Sequence, residues 1–189
     1  EESGWVRDAA DIHGHSALTQ MYGQGMSPTS AQIASAYQAL ANGGVRMPLT
    51  MVTGCEHPDG STTHTPSDEG VRVVSESAAR TTVSMLESVA TDTYIGSAVS
   101  IPGYRVAAKT GTAEVSEFGR YTDDRIVSVA GIAPADDPQF VVVVTYGRPD
   151  TMKTSAAAAP SFRSIMTQVL KTFRVEPSTQ AAPRLPITW

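Results

Sequence analysis

Gln139-Phe140-Val141-Val142-Val143-Val144-Thr145-Tyr146 is the stretch on which the fold turns. Its apolar residues follow one another without alternation. The run is too short for a helix and rich in β-branched side chains, so it reads as a strand with both faces covered. Such a strand belongs near the centre of a sheet with helices on each side. Two similar runs precede it, 104–115 after Pro102-Gly103, and 126–132. Pro134-Ala135-Asp136-Asp137-Pro138 separates the second run from the quoted one and is short enough for a hairpin. The three runs therefore predict an antiparallel meander.

Helical signals flank this meander. Thr29 and Gln32 have the spacing of a capping box, Ile33, Ala36, Tyr37 and Leu40 follow at helical intervals, and Asn42-Gly43-Gly44 ends the helix. Leu49 to Val52 reads as a short strand, and 56–70, rich in Pro, Gly, Ser, Thr and Asp, as a loop. Ser75 caps a second predicted helix over 76–90, with Ala79, Val83, Leu86 and Ala90 as its apolar stripe. A third helix is expected over 156–173, with Pro160 in its first turn and Phe162, Ile165, Met166, Val169, Leu170 and Phe173 on its apolar face. These elements predict an α+β domain over 1–176, an antiparallel sheet with helices on both faces. Pro177, Pro183 and Pro186 mark 177–189 as a tail extended along the surface or disordered.

Composition narrows the function classes. The 189 residues carry a net charge of -5 with no basic block, which argues against a nucleic-acid surface. Cys55 is the only cysteine, so no intrachain disulfide or cysteine-based zinc site can form. No apolar run is long enough to span a bilayer. Glu1-Glu2-Ser3-Gly4-Trp5 opens without an initiator Met or an apolar signal region, and the expectation is a start inside a longer protein.

The sharpest chemical signal is Lys109-Thr110-Gly111-Thr112. A Lys-Ser/Thr-Gly tripeptide alone is weak, arising by chance in roughly one chain in ten of this length. Here it falls inside a predicted strand, where Thr110 and Thr112 project to one face and two hydroxyls can grip one carboxylate. Lys109 adds positive charge nearby, and Gly111 leaves room for a ligand lying along the edge. The same residues also fit an ordinary solvent-facing edge strand guarded by a lysine.

Val106-Ala107-Ala108-Lys109-Thr110-Gly111-Thr112-Ala113-Glu114 resembles the third motif of the penicillin-binding proteins, most closely the class B monofunctional transpeptidases of cell division and elongation. The resemblance extends in order to Tyr22-Gly23-Gln24-Gly25, Pro28, Gln32, Ala36-Tyr37 and Leu40 to Gly44 before the motif. After it come Gly131 to Pro138 and Ala158-Ala159-Pro160-Ser161-Phe162. It covers about residues 4–177, and several spaced motifs in order are far more specific than one tetrapeptide.

The resemblance implies a penicillin-binding transpeptidase or serine β-lactamase-like fold. It implies a D,D-transpeptidase that cross-links peptidoglycan stem peptides through a serine acyl-enzyme and is acylated by β-lactams. Lys109 and Thr112 would take catalytic roles, the lysine as charge near the serine and the Thr112 N–H as an oxyanion donor. Thr110 and Thr112 would hold the terminal carboxylate, with Gly111 between them leaving room for the substrate. Apart from the resemblance, Tyr121 is a further candidate to line the cleft, from its place in the loop after the motif strand. No cofactor or metal is implied. Location on the extracytoplasmic face of the bacterial membrane is, through an N-terminal anchor outside this chain, and so are cell-division or elongation membrane proteins as partners. A β-lactam sensor and a serine β-lactamase are the rival readings.

The sequence departs from the family pattern in one respect. None of Lys109, Lys153 and Lys171 has a serine three residues before it, and Asn42 has Leu40 two before it, so Ser-x-x-Lys and Ser-x-Asn are both missing. The chain is thus expected to be the incomplete, C-terminal part of the domain, needing the upstream half and inactive by itself. Outside the motif, His13 and His15 lack an evident third ligand, Asp123-Asp124 and Asp136-Asp137 read as turn chemistry, and Glu114 reads as a rim charge.

Overall fold

The computed structural model of the chain describes residues 3–64, 69–183 and 185. In chain order the elements are α1 (His15–Gln20), α2 (Ser30–Ala41), β1 (Val45–Arg46), β2 (Gly54–Glu56), β3 (Thr62–His64) and β4 (Val71–Arg72). Then come α3 (Glu76–Asp92), α4 (Gly96–Val99), β5 (Ala107–Glu117), β6 (Arg120–Ala133), β7 (Phe140–Gly147) and α5 (Ala159–Thr172). β5, β6 and β7 form one antiparallel sheet in that order, the expected meander, while β1–β4 and β2–β3 are two small separate pairs.

Both faces of this sheet are covered, as the unbroken valine run requires. On one face α5 sets Phe162, Met166 and Leu170, all fully buried, against Ala108, Val129 and Val144. Burying side chains of that size is worth about 1.5–3 kcal/mol each. On the other face Tyr37 and Leu40 of α2 and Val83 and Leu86 of α3 pack around Ala107, Ile132 and Val141. β7 therefore feeds Val142 and Val144 to one core and Val141 to the other. Its position differs from the expected centre: β7 is a border strand, paired only with β6 among the described residues. Coverage of its two faces is set by α2 and α5, and does not require a neighbour on the second edge.

The helix signals hold in detail. Thr29 Oγ1 accepts from Gln32 N at 3.1 Å and Gln32 Oε1 accepts from Thr29 N at 2.8 Å, a reciprocal capping box. Gly43 and Gly44 take positive φ where α2 ends. Ser75 Oγ caps α3 by accepting from Ala78 N at 3.2 Å. Within α2, Ala39 is buried and Ala36 is exposed, the reverse of the even stripe expected. Ile165 and Phe173 of the third predicted helix are likewise exposed, although the Phe173 ring meets that of Phe140 at 4.9 Å between centroids; the Phe162-Met166-Leu170 row is the one buried against the sheet.

Other local expectations need correction. Leu49 to Val52 is not a strand. Pro48 lacks an N–H to donate, and Thr50 Oγ1 both accepts from Val52 N and donates to Val52 O, a local turn that competes with strand pairing. The expected loop over 56–70 contains the β2–β3 hairpin; residues 65–68 lie outside the described residues. Asp123-Asp124 sits inside β6, and the turn falls instead at Phe118-Gly119, both with positive φ. The tail beyond α5 begins fastened to the body. Tyr104 Oη donates to Val175 O at 2.7 Å, Ser178 N donates to Gly103 O at 2.9 Å, and Ser178 Oγ donates to Asp136 Oδ1 at 2.7 Å.

Candidate functional site

The Lys-Thr-Gly stretch lies on β5, an edge strand whose only neighbour is β6 among the described residues. Register fixes the faces. Ala108 is buried beneath α5, so Thr110 and Thr112 follow on that face at two-residue steps, opposite Val129 and Val127. Thr112 is exposed and Thr110 half-buried. Among the described residues neither hydroxyl is engaged in a hydrogen bond, so both are free to meet a ligand. Lys109 is exposed and its Nζ donates to Thr110 O at 2.9 Å, which holds the ammonium against the main chain of the motif strand.

A Cβ at Gly111 would lie 2.6 Å from Ser128 Oγ across the strand pair, an atom that a χ1 rotation can move. Packing against β6 therefore tolerates a small side chain there, and the glycine chiefly keeps the edge low. Thr112, Val127 and Tyr146 form one row across the sheet, and the Tyr146 hydroxyl is 2.6 Å from Ser161 Oγ at the start of α5. Beyond the motif, Arg125 pairs with Glu114 at 3.1 Å.

Tyr121 is not in a loop. It lies on β6 opposite Ser116, in the arm of the β5–β6 hairpin, and is exposed. Ser116 is four residues past Thr112, so Tyr121 stands roughly 13 Å along the strand from the Thr112 row. Lys109, Thr110, Gly111 and Thr112 are therefore brought together, and Tyr121 is set apart from them.

Sequence reasoning missed the buried ion pair between Glu87 and Arg105. The carboxylate, 1% exposed, receives both guanidinium contacts at 2.7 Å. Those hydrogen bonds hold the Arg105 guanidinium above its ordinary value. The available signal was Glu87 itself, an acid four residues after Val83 on a buried stripe. A cavity of about 410 Å³ lies beside this pair, lined by Thr91, Ser100, Tyr104 and Ser178, away from the motif strand.

A sheet with helices on both faces and a Lys-Thr-Gly stretch on its open edge are what the resemblance to the penicillin-binding transpeptidases implies. The chain belongs to this family: the penicillin-binding protein transpeptidase domain matches residues 1–167. Among curated relatives, penicillin-binding protein PbpB of Mycolicibacterium smegmatis is 36% identical over 98% of this chain and 30% of its own length. Peptidoglycan D,D-transpeptidase FtsI of Escherichia coli is 39% identical over 84% of this chain and 26% of its own. The chain thus spans less than a third of these relatives.

Solved structures agree. Penicillin-binding protein 3 of Mycobacterium tuberculosis, complexed with ampicillin, superposes with a TM-score of 0.84 at 34% identity, over 97% of this chain and 43% of that one. A peptidoglycan synthetase from Bifidobacterium adolescentis gives 0.88 at 28% identity, over 100% of this chain and 34% of that one. These likenesses bear out the α+β fold and the class B resemblance. Among the described residues no helix is long and apolar enough to cross a membrane.

Proposed function

We propose that this chain supplies the substrate-holding wall of a peptidoglycan D,D-transpeptidase of cell division or elongation, and that the nucleophilic serine comes from sequence outside residues 1–189. The observation that carries the reading is the pair of unengaged hydroxyls, Thr110 and Thr112, on one face of an open edge strand with Lys109 beside them. Two hydroxyls and an ammonium make a grip for the terminal carboxylate of a stem peptide or a β-lactam. Each hydrogen bond to a charged partner is worth about 1.5–3 kcal/mol.

In this reading Lys109 supports the proton transfers around the serine, and the Thr112 N–H donates to the developing oxyanion. Tyr121, farther along the arm, meets a more distant part of the donor strand. The serine attacks the penultimate D-alanine carbonyl, the terminal D-alanine leaves, and an amino group of a neighbouring stem peptide resolves the acyl-enzyme. The whole protein would act on the outer face of the cytoplasmic membrane, beside membrane proteins of division or elongation. The relatives' names favour a transpeptidase over a β-lactam sensor or a β-lactamase.

A fluorescent penicillin followed by a denaturing gel tests the reading. The 189-residue chain alone should take no covalent label, since it contains no Ser-x-x-Lys. The intact protein should label, and changing Thr110 and Thr112 together to valine should slow labelling by carboxylate-bearing β-lactams at least tenfold, the equivalent of about 1.4 kcal/mol. Label on the isolated chain, or equal rates in variant and parent, would remove the motif strand from the site.

A further inference from the structure

Acidic and basic side chains from three elements meet where the motif strand leaves the body of the sheet. Arg148, the residue after β7, donates to the Glu117 carboxylate on β5, and its Nη1 is 3.5 Å from Asp124 Oδ2 on β6. Lys153 Nζ is 3.6 Å from Asp124 Oδ1 and donates to Asp123 O at 3.1 Å. The main chain joins in, with Arg148 N donating to Arg125 O at 2.8 Å. The connection between β7 and α5 thus holds both strands of the hairpin arm.

Two further observations separate this from an ordinary surface ion pair. First, Arg148 has φ +52°, a left-handed backbone that disfavours any residue with a Cβ and that glycine adopts freely. The arginine there makes side-chain contacts to Glu117 and Asp124 that a glycine in the same conformation could not make. Second, the segment it secures lies just past an irregularity in the motif strand. The β5–β6 register shifts between Glu114 and Ser116, and the outer edge of β5 is unpaired among the described residues. Beyond Thr112, Arg148 closes the far side of that irregularity, two residues past Tyr146 in the Thr112 row.

We propose that Arg148 is a positioning residue for the carboxylate-holding edge of β5: by clamping Glu117 and Asp124 it fixes the line along which Thr110 and Thr112 meet an acyl donor. The inference rests on the reading of the motif strand given above. Its chemistry is electrostatic and directional. One guanidinium reaches two strands at once, which a lysine ammonium does less well.

The test uses the intact protein and a fluorescent penicillin, with the labelling rate measured against drug concentration. Arg148→Gly removes the clamp and relieves the backbone, so the melting temperature should hold or rise. The half-saturating concentration should rise by about fivefold, the size expected for one partly exposed ion-pair cluster, with the maximal rate within about twofold. Arg148→Lys should recover part of the loss, and adding Glu117→Gln to Arg148→Gly should add little. An unchanged half-saturating concentration in Arg148→Gly, with parent labelling normal, overturns the clamp alone. So does a loss that merely tracks the fraction of folded, titratable protein. A parent that takes no label overturns the reading of the motif strand, and the clamp with it.

Discussion

Arg105 meets Glu87 through two parallel hydrogen bonds, Nε to Oε1 and Nη2 to Oε2, each 2.7 Å, inside the junction of α3 with the start of β5. The contact links residues far apart in sequence, and Arg105 N also donates to Ser178 Oγ at 3.0 Å, drawing in the tail. Removing one partner leaves a charge stranded out of water. Arg105→Met should therefore cost about 3–5 kcal/mol in urea unfolding, whereas Glu87→Leu combined with Arg105→Met should recover most of it. A double variant as unstable as the single one would show that the pair's geometry, and not the stranded carboxylate, carries the effect.

Gly131 and Gly111 should respond differently to alanine. At Gly131 a Cβ would sit 2.6 Å from Phe162 Cζ and 2.8 Å from Ala107 O, both fixed in the packed interior between β6, α5 and β5. At Gly111 the near atom is only Ser128 Oγ, which a χ1 rotation can move. Gly131→Ala should lose about 1–3 kcal/mol or more, and Gly111→Ala less than about 1 kcal/mol. Equal losses by thermal denaturation would mean that the two sites are packed alike.

Much of this arrangement could be read in advance, and the parts that could not share a cause. The valine run of β7, the Thr29–Gln32 box and the Ser75 cap are local signals, and local chemistry decided each. The β5–β6 arm was hidden because Asp123-Asp124 looks like turn chemistry. Arg148 and Lys153, more than twenty residues away, supply the positive charge beside Asp124 within the strand. The true turn uses Phe118 at φ +50° and carries no Asn-Gly signal. Glu87 was concealed likewise, since its partner belongs to another element. Of the candidate site, the shared face of Thr110 and Thr112 was legible because strand alternation is a two-residue rule, while the choice of Lys109 to Thr112 rested on the family resemblance. The displacement of Tyr121 was not legible, because it depends on how far the hairpin arm extends.

Tyr37 gives the fold an alkaline limit. Burial between α2 and the sheet pushes its hydroxyl up to about 12 from an ordinary 10. Below pH 10 the phenol is neutral in both states and the full stability is present. As pH rises from 10 toward 12 the unfolded chain releases the proton first, and stability falls. The share owed to this one group is on the order of 2 kcal/mol. Tyr37→Phe should show a shallower decline in melting temperature across that range than the parent. Parallel declines would place the phenol in contact with water.

The edge of β7 should tell the isolated chain from the intact protein. In an antiparallel strand alternate N–H groups point to opposite edges, so half of the β7 amides face β6 and half face away. Among the described residues nothing pairs with the second set, although Val141, Val142 and Val144 are packed on both faces. An apolar strand with one bare edge is a template for another strand. The relatives, with more than two thirds of their length outside this match, have sequence to provide one. In hydrogen exchange the outward β7 amides of the isolated chain should exchange at least about tenfold faster than the inward ones while it is monomeric. In the intact protein both sets should be slow, because an added strand must take up the second set. Uniform protection along β7 in a monomeric isolated chain would refute its border position. Continued fast exchange of the alternate amides in the intact protein would refute the added strand.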